Sequence, residues 1–324
     1  MDLPSVIYPP NKPLERPLAL SKTPVSYNYM FFVDVNEKGE FIAGCSNING
    51  SYWENVLYHY KDVTSANVNH YSGYYIGSST SADAKFIASN KVILAEDNSC
   101  LKLLTIKDNG NPTLLCEEVL KTNDRVEQMS VWNNTHKVLA CADSTVLIAD
   151  MQSSSLNPVT EFKDFHTQFV TSVDVNKNQV NLFASASIDR KACIWDDRMS
   201  ITASVLYQNE FSGLTSINWN QIHPECLVVG NESGDIYSLD IRQPNEVLCS
   251  HSCFNTRIHR SVFNNSGYLA VCGDTCELLI LNGNDNLNVI YKSSDHSGFV
   301  RGLAWFHETL YSCGFDKQII KHVF

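Results

Sequence analysis

Charge and paired cysteine are both scarce in this 324-residue chain. Charged residues make up 18%, fewer than the quarter typical of soluble domains, while apolar residues reach 44%, enough for a substantial core, so wholesale disorder is excluded. Basic residues are the scarcer sign. Lys and Arg number 24 against 35 Asp and Glu, a formal charge of −11 that repels phosphate backbones and attracts basic polypeptides. Direct nucleic-acid binding is therefore not expected, whereas a Lys/Arg-rich protein partner is. The eleven cysteines are odd in number and contain no CxxC pair. The closest spacings are Cys249/Cys253 and Cys272/Cys276, which fits a reduced intracellular compartment.

Other absences narrow the field further. The opening MDLPSVIYPPNKPLERPLAL holds four prolines between positions 4 and 13 and no basic-then-apolar run, so neither a signal peptide nor a membrane span is expected there. No later stretch is apolar enough to cross a bilayer. Sequons such as those at Asn133 and Asn231 follow from the abundance of Asn. GxSxG, HExxH, GxxxxGK[ST] and GxGxxG do not occur, which removes the common hydrolase, metalloprotease and nucleotide signatures. No segment shows an amphipathic helical stripe.

What is present is a repeat. It is clearest at Leu182 to Asp196, LFASASIDRKACIWD, where a buried strand, a polar turn at Asp189 and a second strand ending Trp195-Asp196 follow one another. Equivalent second strands end at Tyr58-His59, Leu104-Thr105, Ala149-Asp150, Trp195-Asp196, Leu239-Asp240, Leu281-Asn282 and Lys321-His322, 40 to 46 residues apart. Each unit is preceded by an alternating strand such as Val170-Thr171-Ser172-Val173 or Val300-Arg301-Gly302-Leu303. The strand that follows is more continuously apolar and tapers to small residues, as a strand between neighbouring sheets should. Seven units of this period predict an all-β, seven-bladed propeller. An open ring would leave strand edges unpaired. The expected solution is an N-terminal arm, residues 1–27, whose Leu14 to Val25 portion closes the last blade, with the propeller over 28–324.

His166, Ser185, Asp189 and the Trp195-Asp196 pair resemble a WD repeat, which implies a hydrogen-bonded His–Ser–Asp–Trp chain tying the blade together. Partial versions are His251 with Asp274 and His296 with Asp316. The segments IAGCSNINGSYWENVLYHYKD (Ile42 to Asp62), GNESGDIYSLD (Gly230 to Asp240) and HSGFVRGLAW with DKQIIKHV (His296 to Val323) resemble the methylosome protein 50 family. That family is the WD-repeat subunit partnering the type II protein arginine methyltransferase. The resemblance runs from about residue 28 to 324 and is weakest in the second blade. It implies a non-catalytic scaffold in cytoplasm and nucleus, needing no cofactor or metal. It also implies docking on the methyltransferase's N-terminal barrel and presentation of Arg-rich substrates such as histones and Sm proteins. The family's interface Trp corresponds to Trp53.

Read from the residues alone, Trp53 and its neighbour Tyr52 end a loop rich in Ser, Asn and Gly. Trp53 either enters a partner's pocket, as hot-spot tryptophans do, or begins the third strand and packs on the next blade. Phe299, in the loop entering blade seven, is a second candidate anchor on the same face, with burial over the central channel as its other reading. His166, Ser185 and Asp189 mimic a catalytic triad, but their places on blade strands and turns make them structural. Cys45, Cys141, Cys272 and Cys313 recur at one strand position and read as small buried hydrophobes. Two D-x-R boxes, Trp195-Asp196-Asp197-Arg198 and Leu239-Asp240-Ile241-Arg242, resemble those of WD-repeat receptors for cullin ubiquitin ligases. Arg198 and Arg242 are thus the alternative contact, to a ligase adaptor, unless each Arg pairs with its own blade's Asp.

Overall fold

The computed structural model describes residues 27, 29–47, 54–66, 70–108, 110, 112–132, 137–152, 155–199 and 204–324. The expected closing arm at Leu14 to Val25 lies outside them, as do Tyr52 and Trp53. The described chain forms six four-stranded antiparallel sheets and one of three strands, each a consecutive meander. In order, the blades span Tyr29–Gly77, Ser81–Lys121, Val126–Phe162, Val170–Gln208, Leu214–Ser252, Ile258–Ser293 and Val300–His322. This is a seven-bladed propeller, and no α-helix occurs among the described residues.

The core is not at the centre of the disc but between its blades. Seven apolar clusters each join two neighbours. Trp132, Phe162, Phe183 and Trp195, for instance, lie between blades three and four. The last cluster joins Met30, Phe41 and Tyr60 of blade one to Ala304, Tyr311 and Cys313 of blade seven. The ring is therefore closed through side-chain burial at the blade seven–blade one seam. Gly302 makes that approach possible, since a Cβ there would sit 2.8 Å from Val33 N.

Polar stitches run alongside the apolar seams. A carboxylate or hydroxyl on the first strand of one blade accepts from the first strand of the next: Phe86 N donates to Asp34 (2.8 Å), Met129 N to Asp83 (3.0 Å), Ile217 N to Ser172 (3.0 Å) and Trp219 N to Asp174 (2.8 Å). Burial raises the Asp34 and Asp174 pKa values, against the opposing pull of Lys85 on the first and of the Trp219 N–H bond on the second. Across the channel itself, Arg260 of blade six meets Asp83 of blade two at 3.1 Å, with both side chains almost wholly buried. On one side of this pair lies a cavity of about 770 Å³ lined by, among others, Asp34, Lys85, Asp174 and Trp305.

Every first strand carries a bulge near its start. Register shifts insert Phe31, Ala82, Glu127, Thr171, Thr215, His259 and Arg301 at the equivalent place in blades one to seven. A bulge re-aims one side chain and increases local twist. Seven of them at one level set a ring of seven selected side chains around the channel, at the end where chains enter each blade. The loops between second and third strands open at this same end, here termed the top.

Candidate docking face

Blade four shows how the repeat holds its top loops. His166 Nδ1 donates to Asp189 Oδ2 (2.9 Å), which also accepts from Thr167 N (3.0 Å). Ser185 Oγ donates to His166 Nε2 (2.8 Å) and accepts from Trp195 Nε1 (2.8 Å). Burial pushes the Asp189 carboxyl up, but the bond and charge of His166 together with backbone N–H donors outweigh it and settle it at about 2. Ser185 is fully buried, so its hydroxyl faces His166 and Trp195 and has no opening to a substrate. The arrangement links strand to loop; it has no nucleophile at a surface.

Blade seven repeats the plan with one exchange. His296 Nδ1 donates to Asp316 (2.9 Å), His296 Nε2 meets Ser312 Oγ (2.7 Å), and Ser312 Oγ meets His322 Nε2 (2.7 Å) where blade four has Trp195. Burial and the neighbouring His296 hold His322 at about 4. The expected pairing of His251 with Asp274 is not made. Asp274 accepts instead from Arg301 Nη1 at 2.6 Å, because the blade-seven bulge aims that guanidinium at it.

Phe299 lies on the top face and is 43% exposed. It packs beside Phe315 (6.4 Å between centroids), which in turn meets Tyr29 and Phe31 of blade one edge-on at 5.1 and 5.2 Å. The Arg301 guanidinium lies over both phenyl rings, 5.4 Å from Phe299 and 4.8 Å from Phe315, a cation–π arrangement that stiffens the shelf. The shelf thus spans the seam toward blade one, whose Asn47 and Glu54 flank in sequence the positions of Tyr52 and Trp53, which lie outside the described residues. Sequence reasoning missed Phe31, Phe315 and Arg301 as its builders. It also missed two further exposed aromatics at blade entries on this face, Phe169 at 55% and Phe211 at 89%. The signal for Phe169 was available, since His166 to Val170 and His296 to Val300 share the pattern H-x-x-F-V.

The two D-x-R boxes lie after the third strands, at the opposite end. Arg198 donates through Nε (2.9 Å) and Nη2 (2.6 Å) to Asp196, and Arg242 does the same to Asp240 at 2.9 and 2.6 Å. Each fork is satisfied within its own blade while its outer edge stays exposed. Cys45, Cys141, Cys272 and Cys313 are buried at equivalent strand positions; burial raises their thiols, Cys45 to about 11 and Cys272 to about 12. No group of three or more His, Cys, Asp or Glu suited to a metal exists among the described residues.

Comparison with known proteins matches residues 157–196 to the model of the WD domain, G-beta repeat. The chain is a WD-repeat propeller. This propeller is 22% identical over 296 residues to methylosome protein WDR77 of Xenopus laevis, covering 88% of the chain and 86% of that protein, so the resemblance to the methylosome protein 50 family holds over most of its length. It is also 28% identical over 118 residues to histone acetyltransferase type B subunit 2 of Candida albicans, covering 36% of the chain and 30% of that protein. Protein transport protein Sec31A of Gallus gallus shares 30% over 176 residues, 49% of the chain and 14% of its own length. Among solved structures, the outer coat vertex of COPII on membranes superposes with a TM-score of 0.79 at 16% identity, covering 92% of the chain and 84% of that chain, which shows a shared propeller fold.

Proposed function

We propose that this propeller is a non-catalytic adaptor subunit of a protein arginine methyltransferase complex, working in cytoplasm and nucleus. The observation that carries the reading is the likeness to methylosome protein WDR77 across 88% of the chain and 86% of that protein, far beyond the single repeat that any WD protein shares. The top-face shelf supplies the means. A half-exposed Phe299 braced by Phe315 and Arg301 is a preorganised anchor, the kind of group on which interface energy concentrates. Trp53 and Tyr52, which directly precede Glu54 of the adjoining blade in sequence, complete the contact with the methyltransferase barrel. The surplus of acidic residues raises the local concentration of Arg-rich substrates such as histones or Sm proteins through long-range attraction.

Binding of purified type II methyltransferase to the full chain tests this. Trp53→Ala and Phe299→Ala are each expected to weaken capture by about 2 kcal/mol, roughly thirtyfold in Kd. Arg198→Ala with Arg242→Ala is expected to leave it unchanged. Loss of a cullin-ligase adaptor in the Arg pair, with full methyltransferase binding retained or absent in all variants alike, would transfer the function to the D-x-R boxes.

A further inference from the structure

The channel mouth between blades six and seven holds more positive charge than its surroundings balance. Arg257 lies in the loop entering blade six, His259 is that blade's bulged residue and Arg301 is the bulged residue of blade seven. Arg260 is neutralised by Asp83, and Asp274 serves Arg301 through Nη1 alone. The Arg301 Nε is buried without a partner, although the side chain is only 13% exposed. Arg257 Nε is likewise buried and unpaired, and no described residue forms an ion pair or hydrogen bond with its guanidinium. Buried donors are normally satisfied, and an unpaired buried donor costs about 1–3 kcal/mol, more when charged. Two at one mouth, in a chain with eleven surplus negative charges, is a specific arrangement, since acidic side chains are plentiful and the one carboxylate beside them, Asp274, reaches only Arg301 Nη1.

The backbone of Arg257 and the guanidinium of Arg301 are also held in advance. The Arg257 carbonyl accepts from Asp274 N at 3.0 Å and abuts Gly273, where a Cβ would lie 2.6 Å from it. Arg301 is fixed by Asp274, Phe299 and Phe315. His259 stands within the field of both, and burial followed by Arg301, Arg260 and Arg257 holds its pKa well below the ordinary value, so the imidazole adds a neutral donor or acceptor without further charge. Planar forks with free N–H groups recognise oxyanions.

We infer that Arg257, His259 and Arg301 form a binding site for an oxyanion, a carboxylate or phosphate group, at the top of the channel. The site stands on its own geometry and does not depend on which protein docks at Phe299. The test is titration of the full-length chain with sodium phosphate and, separately, sodium acetate, at ionic strength held constant with chloride, followed by calorimetry and thermal unfolding. A saturable rise in Tm with one of the two anions is expected, and the arm that responds names the group. Arg257→Gln, a change at a half-buried loop residue with no partner to lose, should weaken that affinity at least tenfold. Asp274→Asn, which removes the competing carboxylate beside Arg301, should strengthen it. The inference fails if neither anion acts beyond chloride, or if the response survives Arg257→Gln undiminished. Should Arg257→Gln fold poorly, Arg257→Lys keeps the charge and loses the fork, and an unchanged affinity there would equally overturn the site.

Discussion

In blade four the buried Ser185 hydroxyl accepts from an indole, while in blade seven the equivalent Ser312 meets an imidazole. The two blades otherwise share their anchoring positions. His166 and His296, Asp189 and Asp316, Phe169 and Phe299 occupy the same places, and Arg190 and Lys317 both take positive φ at the turn. The differences fall between the shared anchors. Thr171 at the blade-four bulge bonds the Leu214 carbonyl at 2.8 Å and so serves the next blade, whereas Arg301 turns to Asp274 and two phenyl rings. Ile188 stands where blade seven has Phe315. One hydrogen-bonded frame thus supports either a purely internal joint or an aromatic-cationic shelf, depending on two side chains the frame does not use.

Exchanging the anchors should break the comparison most severely in blade four. Trp195 stacks on Phe183 at 5.8 Å and meets Phe162 and Phe165 edge-on at 5.3 Å each. Trp195→His would preserve a donor for Ser185 but vacate that aromatic nest, at an expected cost of about 3–5 kcal/mol for loss of a large buried ring. Urea unfolding measures it. A cost below about 1 kcal/mol would mean that the polar chain, rather than ring packing, carries blade four.

The blade-seven exchange makes its own prediction through pH. An unfolded His titrates near 6.5, while His322 in the fold lies at about 4. The unfolded chain therefore binds the extra proton between those values, and stability falls as pH drops from about 6.5 toward 4, with no further change from this group below that. At about 1.4 kcal/mol per pH unit the loss reaches at most about 3.5 kcal/mol. Asp189, at about 2 in the fold, adds its own decline only as pH falls below about 4, where the unfolded carboxyl takes up a proton. Because buried carboxylates and other histidines also titrate, the decisive measurement is the difference in pH profile between the wild-type chain and His322→Gln. Parallel profiles would show that His322 is not the responsive group.

The periodic features were legible in the sequence because each is written seven times. Strand ends recur every 40 to 46 residues, and a blade must present the same apolar seam to each neighbour, so the fold and the His166–Ser185–Asp189–Trp195 chain follow from local grammar. What stayed hidden is what occurs once. Asp83 and Arg260 are 177 positions apart and meet only because a ring of seven brings blades two and six across the channel. Arg301 reads as an ordinary polar alternation until the bulge redirects it, which is also why Asp274 takes Arg301 and not His251 as its partner. Phe299 was legible as an exposed aromatic, but its support by Phe315, Tyr29 and Phe31 needs the closed seam between the first and last blades.

The smallest expected effect is the sharpest check on that last point. Phe169 and Phe299 share the H-x-x-F-V pattern and similar exposure, yet only Phe299 has a cation and a second ring beneath it. Phe169→Ala should change stability by no more than about 0.5 kcal/mol, as surface substitutions do, and should leave methyltransferase capture intact. Phe299→Ala should cost about 0.5–1 kcal/mol in the free protein by releasing Arg301, before any partner is added. If the two substitutions behave alike in both stability and binding, exposure alone governs these positions and the shelf has no special standing. If they differ as expected, the distinction lies in the residues beneath the ring, where a single bulged arginine converts an ordinary blade entry into a rigid anchor.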